Sequence, residues 1–194
     1  GHDYVAYASE HGMDVIIGDH HTPGEALPPA HTILNPKQQD CPYPYKELSG
    51  CGIGFKLIQA LHQQYPQAPD PQDFLDFVAV STAADIVEMK DENRVLACHG
   101  LQKLNDSPNP AFEALKEVSG LEKALTIQDL VFKIGPRINA AGRVTHASNA
   151  VELLMADDKA VAVEKAKPMN DDNAQRQQFD RSIRDEILER IEGD

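Results

Sequence analysis

Cysteine, positive charge and long apolar runs are all scarce in this sequence, and each shortage excludes something. The three cysteines, Cys41, Cys51 and Cys98, are odd in number and form no Cys-x-x-Cys pair. Neither a zinc ribbon nor a redox dithiol is encoded, and a reducing, cytoplasmic compartment is expected. Eighteen Lys and Arg stand against 31 Asp and Glu, a net charge of −13. That balance excludes a broadly basic nucleic-acid-binding face and leaves room only for a local basic stripe. The longest apolar stretches lie within Asp14–Gly18 and Phe77–Ser81, far short of the ~20 residues that cross a membrane as a helix. The first residues, Gly1-His-Asp-Tyr-Val-Ala-Tyr7, hold no initiator Met, no basic segment and no apolar core. No secretory signal is read there, and an internal portion of a longer protein is expected. What is present, 41% hydrophobic and 25% charged residues, is the composition of a globular protein.

The pattern along the chain alternates helix and strand. Residues 3–11 are expected to form a short helix, and Met13–Gly18 has the compact apolar character of a buried parallel strand. Thr22–Pro36 carries Pro23, Pro28, Pro29 and Pro36 and reads as loop, with a brief extended piece at 32–34. Ser49 opens a glycine-rich entry into a helix running to about Tyr65, with Phe55, Ile58 and Leu61 on one face. Asp70-Pro71 is a helix start, since Asp caps free amides and Pro fits the first turn; Phe74, Phe77 and Val78 then face the core. Another helix begins at Asp91, its apolar side marked by Val95, Leu96, His99 and Leu104. A short helix over Ala111–Val118 follows, and Thr126-Ile-Gln-Asp129 is a capping box. Gly135–Arg143 reads as a loop. From Asn149 onward the pattern is helical and charged, with Phe179, Ile183, Ile187 and Ile191 on one stripe. Pro168 is expected to kink or interrupt that helix at a cost of ~3 kcal/mol.

Three stretches carry chemistry. Gly18-Asp-His-His21 follows the first strand directly, and ligands of open α/β sheets gather at the carboxyl ends of parallel strands. Imidazole with carboxylate suits a divalent transition metal, although adjacent histidines on a loop also serve as caps or solvent-exposed groups. Ala83-Ala-Asp85-Ile-Val87 places an Asp where burial is expected, and a buried carboxylate needs a partner or a metal. A helix-terminal Asp bonding backbone amides is the bland alternative. Leu130–Val151 contains no acidic residue but holds Lys133, Arg137, Arg143 and His146. Arginine forks, with glycines that let the backbone approach, are good phosphate ligands; a surface loop with its arginines paired to acids is the alternative. Gly50-Cys-Gly-Ile-Gly54 fails as a nucleotide loop, because no strand leads into it and no Lys-Ser/Thr ends it.

Taken together, these stretches resemble the DHH phosphoesterase superfamily, and within it the RecJ-type single-strand-specific exonucleases. The resemblance rests on Gly18-Asp-His-His21, Leu27-Pro-Pro-Ala30, Leu34-Asn-Pro36, Leu48–Leu57, Thr82-Ala-Ala-Asp-Ile-Val87, Gly135-Pro-Arg-Ile-Asn-Ala-Ala-Gly-Arg143 and Asn173-Ala-Gln-Arg176, in that order. It implies an α/β fold, a parallel sheet flanked by helices and lacking its first strands, followed by a long connecting helix. Residues 1–150 would be the C-terminal portion of the catalytic domain and 151–194 a helical linker toward a second domain. The implied activity is 5′-to-3′ hydrolysis of single-stranded DNA in repair and recombination, with a two-metal Mn2+ or Mg2+ site whose ligand set is incomplete here. His20 and Asp85 would be metal ligands. Asp19 and His21 would lie beside them as catalytic residues, orienting a ligand or contacting the scissile phosphate. Arg137, Asn139 and Arg143 would line the path of the strand. The alternatives are a DHH hydrolase of small nucleotides or pyrophosphate, and a non-catalytic DHH-like scaffold. With further aspartates and domains implied to lie outside the chain, the isolated chain is expected to be inactive or nearly so. Apolar surface uncovered by truncation predicts self-association, and no membrane partner is expected.

Overall fold

The computed structural model describes residues 1–144 and 147–192, without the side chains of 141–144 and 192. It is a helix-rich α/β chain. Its elements are α1 (His2–Glu10), β1 (Ile16–Gly18), β2 (Thr32–Leu34), α2 (Gly50–Gln64), a 3₁₀ turn (Pro71–Phe74), α3 (Leu75–Ala84), α4 (Asp91–Asp106), α5 (Pro110–Val118), α6 (Ile127–Asp129), a π turn (Leu130–Ile134), α7 (Gly135–Val144), α8 (Ala147–Leu154) and α9 (Lys159–Glu192). Packing divides the chain into two compact units, Gly1–Gly100 and Leu101–Asp194.

In the first unit β1 and β2 run parallel, with Ile16 opposite Thr32, Ile17 opposite Ile33 and Gly18 opposite Leu34. The burial expected for the first strand is not realised, since Ile16 is exposed and Ile17 half-buried. A strand with one neighbour and incomplete helical cover cannot hide both faces. The core lies between α2, α3 and α4, where Leu48, Ile53, Phe55, Val78 and Leu96 are buried, with Leu34, Tyr43 and Phe74 packed against them. Ser49 caps α2 by accepting a hydrogen bond from Gly52 N at 3.1 Å. On α2 the buried face is Gly52, Ile53 and Phe55, while Leu61 is exposed. Asp70 caps the 3₁₀ turn through Gln72 N at 2.9 Å.

Leu96 and Leu104 of α4 are buried as expected, but Val95 and His99 are exposed, and Asn93, Ala97 and Gly100 are buried in their place. The packed side is built from small and polar residues because α3 comes very close: a Cβ at position 100 would lie 2.1 Å from the Leu75 carbonyl oxygen and 2.6 Å from Ala79 Cβ. Asn93 is fully buried and donates from Nδ2 to the carbonyls of Glu47 at 2.6 Å and Glu88 at 3.0 Å.

The second unit forms around α5 and α9. Asn109 caps α5 through Ala111 N at 2.9 Å, burying Phe112 and Leu115, each worth ~2 kcal/mol of transfer free energy. On α9, Ala162, Ala166, Met169 and Asn173 are buried; their spacing of three and four makes one continuous stripe. The helix therefore runs through Pro168 without a break, because packing on both sides of the proline outweighs one lost backbone bond. The capping box at Thr126 and Asp129 is present as expected.

The stretch Gly135–Arg143, expected as a loop, is instead helical. Gly135 has φ −55° and ψ −45°, within the right-handed helical region. Pro136 cannot donate to the carbonyl four residues earlier, and the π turn just before it is the widened geometry that accommodates such a missing bond. Buried Leu130, Ile134 and Ala140 hold the segment in place.

The close approach at Gly100 yields a test. Gly100→Ala is expected to destabilise the chain by about 2 kcal/mol, despite alanine's better helix propensity, read as a lower urea midpoint at unchanged slope.

Candidate functional site

The end of β1 sets the site. One more ladder bond, from Asp19 N to the Leu34 carbonyl at 3.0 Å, carries the pairing past Gly18. The chain then turns around the Asp19 side chain. Its Oδ1 accepts from His20 N at 2.7 Å and His21 N at 3.2 Å, and lies 2.7 Å from His21 Nδ1. A short carboxylate bonding two following amides is an Asx turn, and here it displays two imidazoles side by side, their ring centroids 4.4 Å apart. Burial pushes the Asp19 carboxyl up, but the bonds from the His21 ring and the two amides outweigh it, so its pKa falls below the ordinary value. Asp19 is thus a carboxylate at neutral pH. Asn35, 6% exposed, closes the turn by donating from Nδ2 to the His21 carbonyl at 2.9 Å, and its Oδ1 accepts from Lys37 N.

The His20 ring lies near a different carboxylate. Its Nε2 lies 3.9 Å from Asp85 Oδ2, with the imidazole 19% and the carboxylate side chain 38% exposed. Asp85 is not buried among apolar residues as the sequence implies; it is the exposed C-cap of α3, and the buried carboxylate of that helix is Asp76, whose Oδ1 accepts from Phe77 N at 3.0 Å. Asp85 Oδ2 is also 3.5 Å from Ser81 Oγ. The His20–Asp85 separation is too long for a hydrogen bond, yet shorter than two metal–ligand bonds of about 2.1 Å. An imidazole nitrogen and a carboxylate oxygen so spaced fit a divalent ion on two sides. Among the described residues, no group of three or more His, Cys, Asp or Glu converges on one point.

Gly50, the first residue of α2, packs beside this pair: a Cβ there would sit 3.6 Å from His20 Cδ2. Cys51 follows it. Burial, then the Asp85 and Asp76 carboxylates, push its thiol up to about 11, so it is neutral near pH 7 and no thiolate nucleophile. Neither Cys51 nor Asn35 is among the site residues expected from the sequence; their places depend on the register of the strands and the entry of α2.

Arg137 and Asn139 lie on α7, in the second unit. The loop amides expected to meet a phosphate there are spent on helical bonds, leaving the side chains. Arg137 donates from Nε to Asn170 Oδ1 at 3.0 Å and from Nη1 to the Lys133 carbonyl at 2.7 Å. Burial lowers its pKa, without threatening a charge as strongly held as arginine's. No carboxylate among the described residues forms an ion pair with it. Asn139 is exposed. The side chain of Arg143, and His146 altogether, fall outside the described residues.

The chain brings together Asp19, His20, His21 and Asp85, and comparison with known proteins says what they accompany. Residues 1–82 match the model described as "DHH family, N-terminal domain". The single-stranded-DNA-specific exonuclease RecJ of Bacillus subtilis is 40% identical over 186 residues, covering 95% of this chain and 23% of that protein. The RecJ of Thermus thermophilus is 35% identical over 183 residues, covering 92% and 26%. A crystal structure of Thermus thermophilus RecJ with Mn2+ superposes with a TM-score of 0.84 at 32% identity, over 97% of this chain and 28% of that one. A second structure, of exonuclease RecJ bound to manganese, gives 0.81 at 32% identity over 98% and 48%. The chain spans about a quarter of the length of these two curated relatives. Residues 1–82 carry the DHH family's N-terminal domain, and along nearly its whole length the chain is a relative of the RecJ exonucleases.

Proposed function

We propose that this chain supplies part of the catalytic core of a metal-dependent exonuclease that degrades single-stranded DNA from its 5′ end. The observation that carries the reading is the convergence of His20 Nε2 and Asp85 Oδ2 just past the carboxyl end of a parallel strand, in a chain related to single-stranded-DNA-specific exonucleases. His20 and Asp85 would hold Mn2+ or Mg2+, together with donors beyond this pair. A bound divalent ion supplies acidified water and neutralises charge on the phosphoryl oxygens. The chain's own residues do the rest. With Nδ1 donating to Asp19 Oδ1, the His21 ring is fixed in orientation and tautomer, and its Nε2 is available to bond a phosphate oxygen or pass a proton. Asp19, acceptor to that ring and to two amides, keeps the turn closed while it does so.

Arg137 and Asn139 are proposed to contact the strand, as is Arg143. A half-buried guanidinium with no carboxylate partner among the described residues retains its charge for an anionic ligand. Residues 1–150 are proposed as catalytic domain and 151–194 as the connection to further domains, and the cellular setting as DNA repair and recombination in the cytoplasm. No helix among the described residues is long and apolar enough to cross a membrane. A second reading, a non-catalytic scaffold, draws on the donor count, since two metal donors converge among the described residues where a working site needs more.

Three outcomes are expected. In the full-length protein carrying this sequence, Mn2+-dependent release of nucleotides from 5′-phosphorylated single-stranded DNA is lost in His20→Ala and in Asp85→Ala. Calorimetry then shows Mn2+ affinity reduced roughly tenfold or more, whereas unaltered affinity in both variants moves the scaffold reading to first place. Hydrolysis of dinucleotides or pyrophosphate in preference to long strands would identify a small-nucleotide hydrolase instead. Arg137→Gln is expected to weaken single-strand binding and to lower the log–log salt slope by about 0.7, one phosphate contact, as read by titrations at several salt concentrations. The isolated chain, with Tyr4, Tyr7, Met13 and Ile16 exposed, is expected to self-associate with rising concentration in sedimentation velocity.

A further inference from the structure

The turn between α3 and α4 is strained at both ends. Ile86 has φ +53° and Asp91 φ +41°, the two positive values among described residues other than glycine. For Ile86 this is a serious departure, because a β-branched side chain in the left-handed region crowds its own backbone. The position is the one just past a helix C-cap, where glycine is the ordinary occupant; Ile86 N bonds back to the Ala83 carbonyl at 3.3 Å. The conformation is not free to relax. Glu88, midway along the turn, has its carbonyl held by Tyr45 Oη and by Nδ2 of the buried Asn93, each at 3.0 Å. Strain persists where surrounding structure over-determines it, and it gathers at functional sites. Nor does the side chain gain by burial, since Ile86 is 79% exposed. Backbone and solvent therefore both favour Gly or Asn at position 86, and the residue stands one peptide bond from Asp85.

We propose that Ile86 is a strand-binding contact, its apolar side chain packing against the base of the nucleotide whose phosphodiester lies at the His20–Asp85 pair. This rests on the exonuclease reading. A rigid, exposed aliphatic group offers a base face contact without regard to sequence, as a nuclease that degrades any strand requires. The pinned turn keeps it there before substrate arrives, so little ordering is left to binding.

The test uses the full-length protein, in chelator so that the strand is bound and not cut. Ile86→Asn, which tolerates the left-handed backbone, is expected to raise the melting temperature by about 3 °C and to weaken binding of a 5′-phosphorylated oligonucleotide about fivefold. Ile86→Val is expected to keep wild-type affinity. An oligonucleotide lacking the terminal base should bind wild type and Ile86→Asn equally, and Mn2+ affinity by calorimetry should be the same in both. Unchanged strand affinity or melting temperature in Ile86→Asn overturns the inference. So does a loss that persists on the base-free strand, or a matching fall in Mn2+ affinity, which would make Ile86 a support for Asp85 instead. If wild type binds no single-stranded DNA at all, the exonuclease reading itself falls and the inference with it.

Discussion

The parallel register of β1 against β2 governs everything else at the site. With Gly18 opposite Leu34, both strands end at the same level, so the residues that follow each of them emerge side by side. That puts Asp19-His-His21 against Asn35, whose amide donates to the His21 carbonyl, and the amide of Asp19 still bonds Leu34 across the ladder. A slip of one residue would send every side chain of β1 to the opposite face and separate this turn from its support. The sheet is small, but its register is the frame for two imidazoles that otherwise sit on a free loop. The other donor, Asp85, comes from a helix terminus that depends on different contacts: the Gly100 approach of α4 to α3 and the amide of Asn93. The site is as exact as the agreement between these two parts of the first unit.

The local signals in the sequence are legible because each is complete in a few residues. Ser49, Asp70 and Thr126 all cap what they precede, and a cap needs only a side-chain oxygen and the amides just after it. The DHH turn belongs to the same class: its hydrogen bonds span two residues, so Asp19, His20 and His21 were legible as a unit. Features that depend on distant packing were not. Gly135-Pro136 has the composition of a loop, yet Leu130, Ile134 and Ala140 are buried, and tertiary burial outweighs the penalty of two poor helix formers. The face of α4 is legible at Leu96 and Leu104 but not between them, because periodicity weighs large apolar residues. The packing surface also takes in Asn93, Ala97 and Gly100, and the missing side chain at Gly100 is the reason another helix fits. Asp85 is expected to be buried from its apolar neighbours in sequence, but of these only Ala83 is buried on α3, Ile86 is itself exposed, and Asp85 terminates the helix.

Charge follows the same division between local and distant. Half of the ion pairs among the described residues are surface contacts between chain neighbours, such as Lys133 with Asp129 or Arg176 with Asp180, and such pairs contribute a few tenths of a kcal/mol each. The net charge of −13 is thereby spread over solvated faces and says little about the substrate. The reverse case is Arg137: half-buried, hydrogen-bonded to an amide and a carbonyl, and paired to no carboxylate among the described residues. Its neutral partners fix the direction of the guanidinium while leaving its charge uncompensated.

The long helix α9 shows how far packing in one place can support structure in another. Its first half is fixed by Ala162, Ala166, Met169 and Asn173, and this burial carries the chain through Pro168. From Gln178 to Ile191 every residue is exposed, including Phe179, Ile183 and Ile187. A free peptide of that length would be marginally helical at best, because the first turn must be nucleated at a cost that short helices do not recover. Here no nucleation is needed: the packed half presents an existing helical end, and each further residue adds one backbone bond to it. The pairs Arg176–Asp180 and Arg190–Glu186 lie at i,i+4 along the way and add what isolated helices gain from such pairs. Helical order in the second half is thus inherited from the first, so a lesion at Ala166 or Met169 would be felt well beyond the residues they touch.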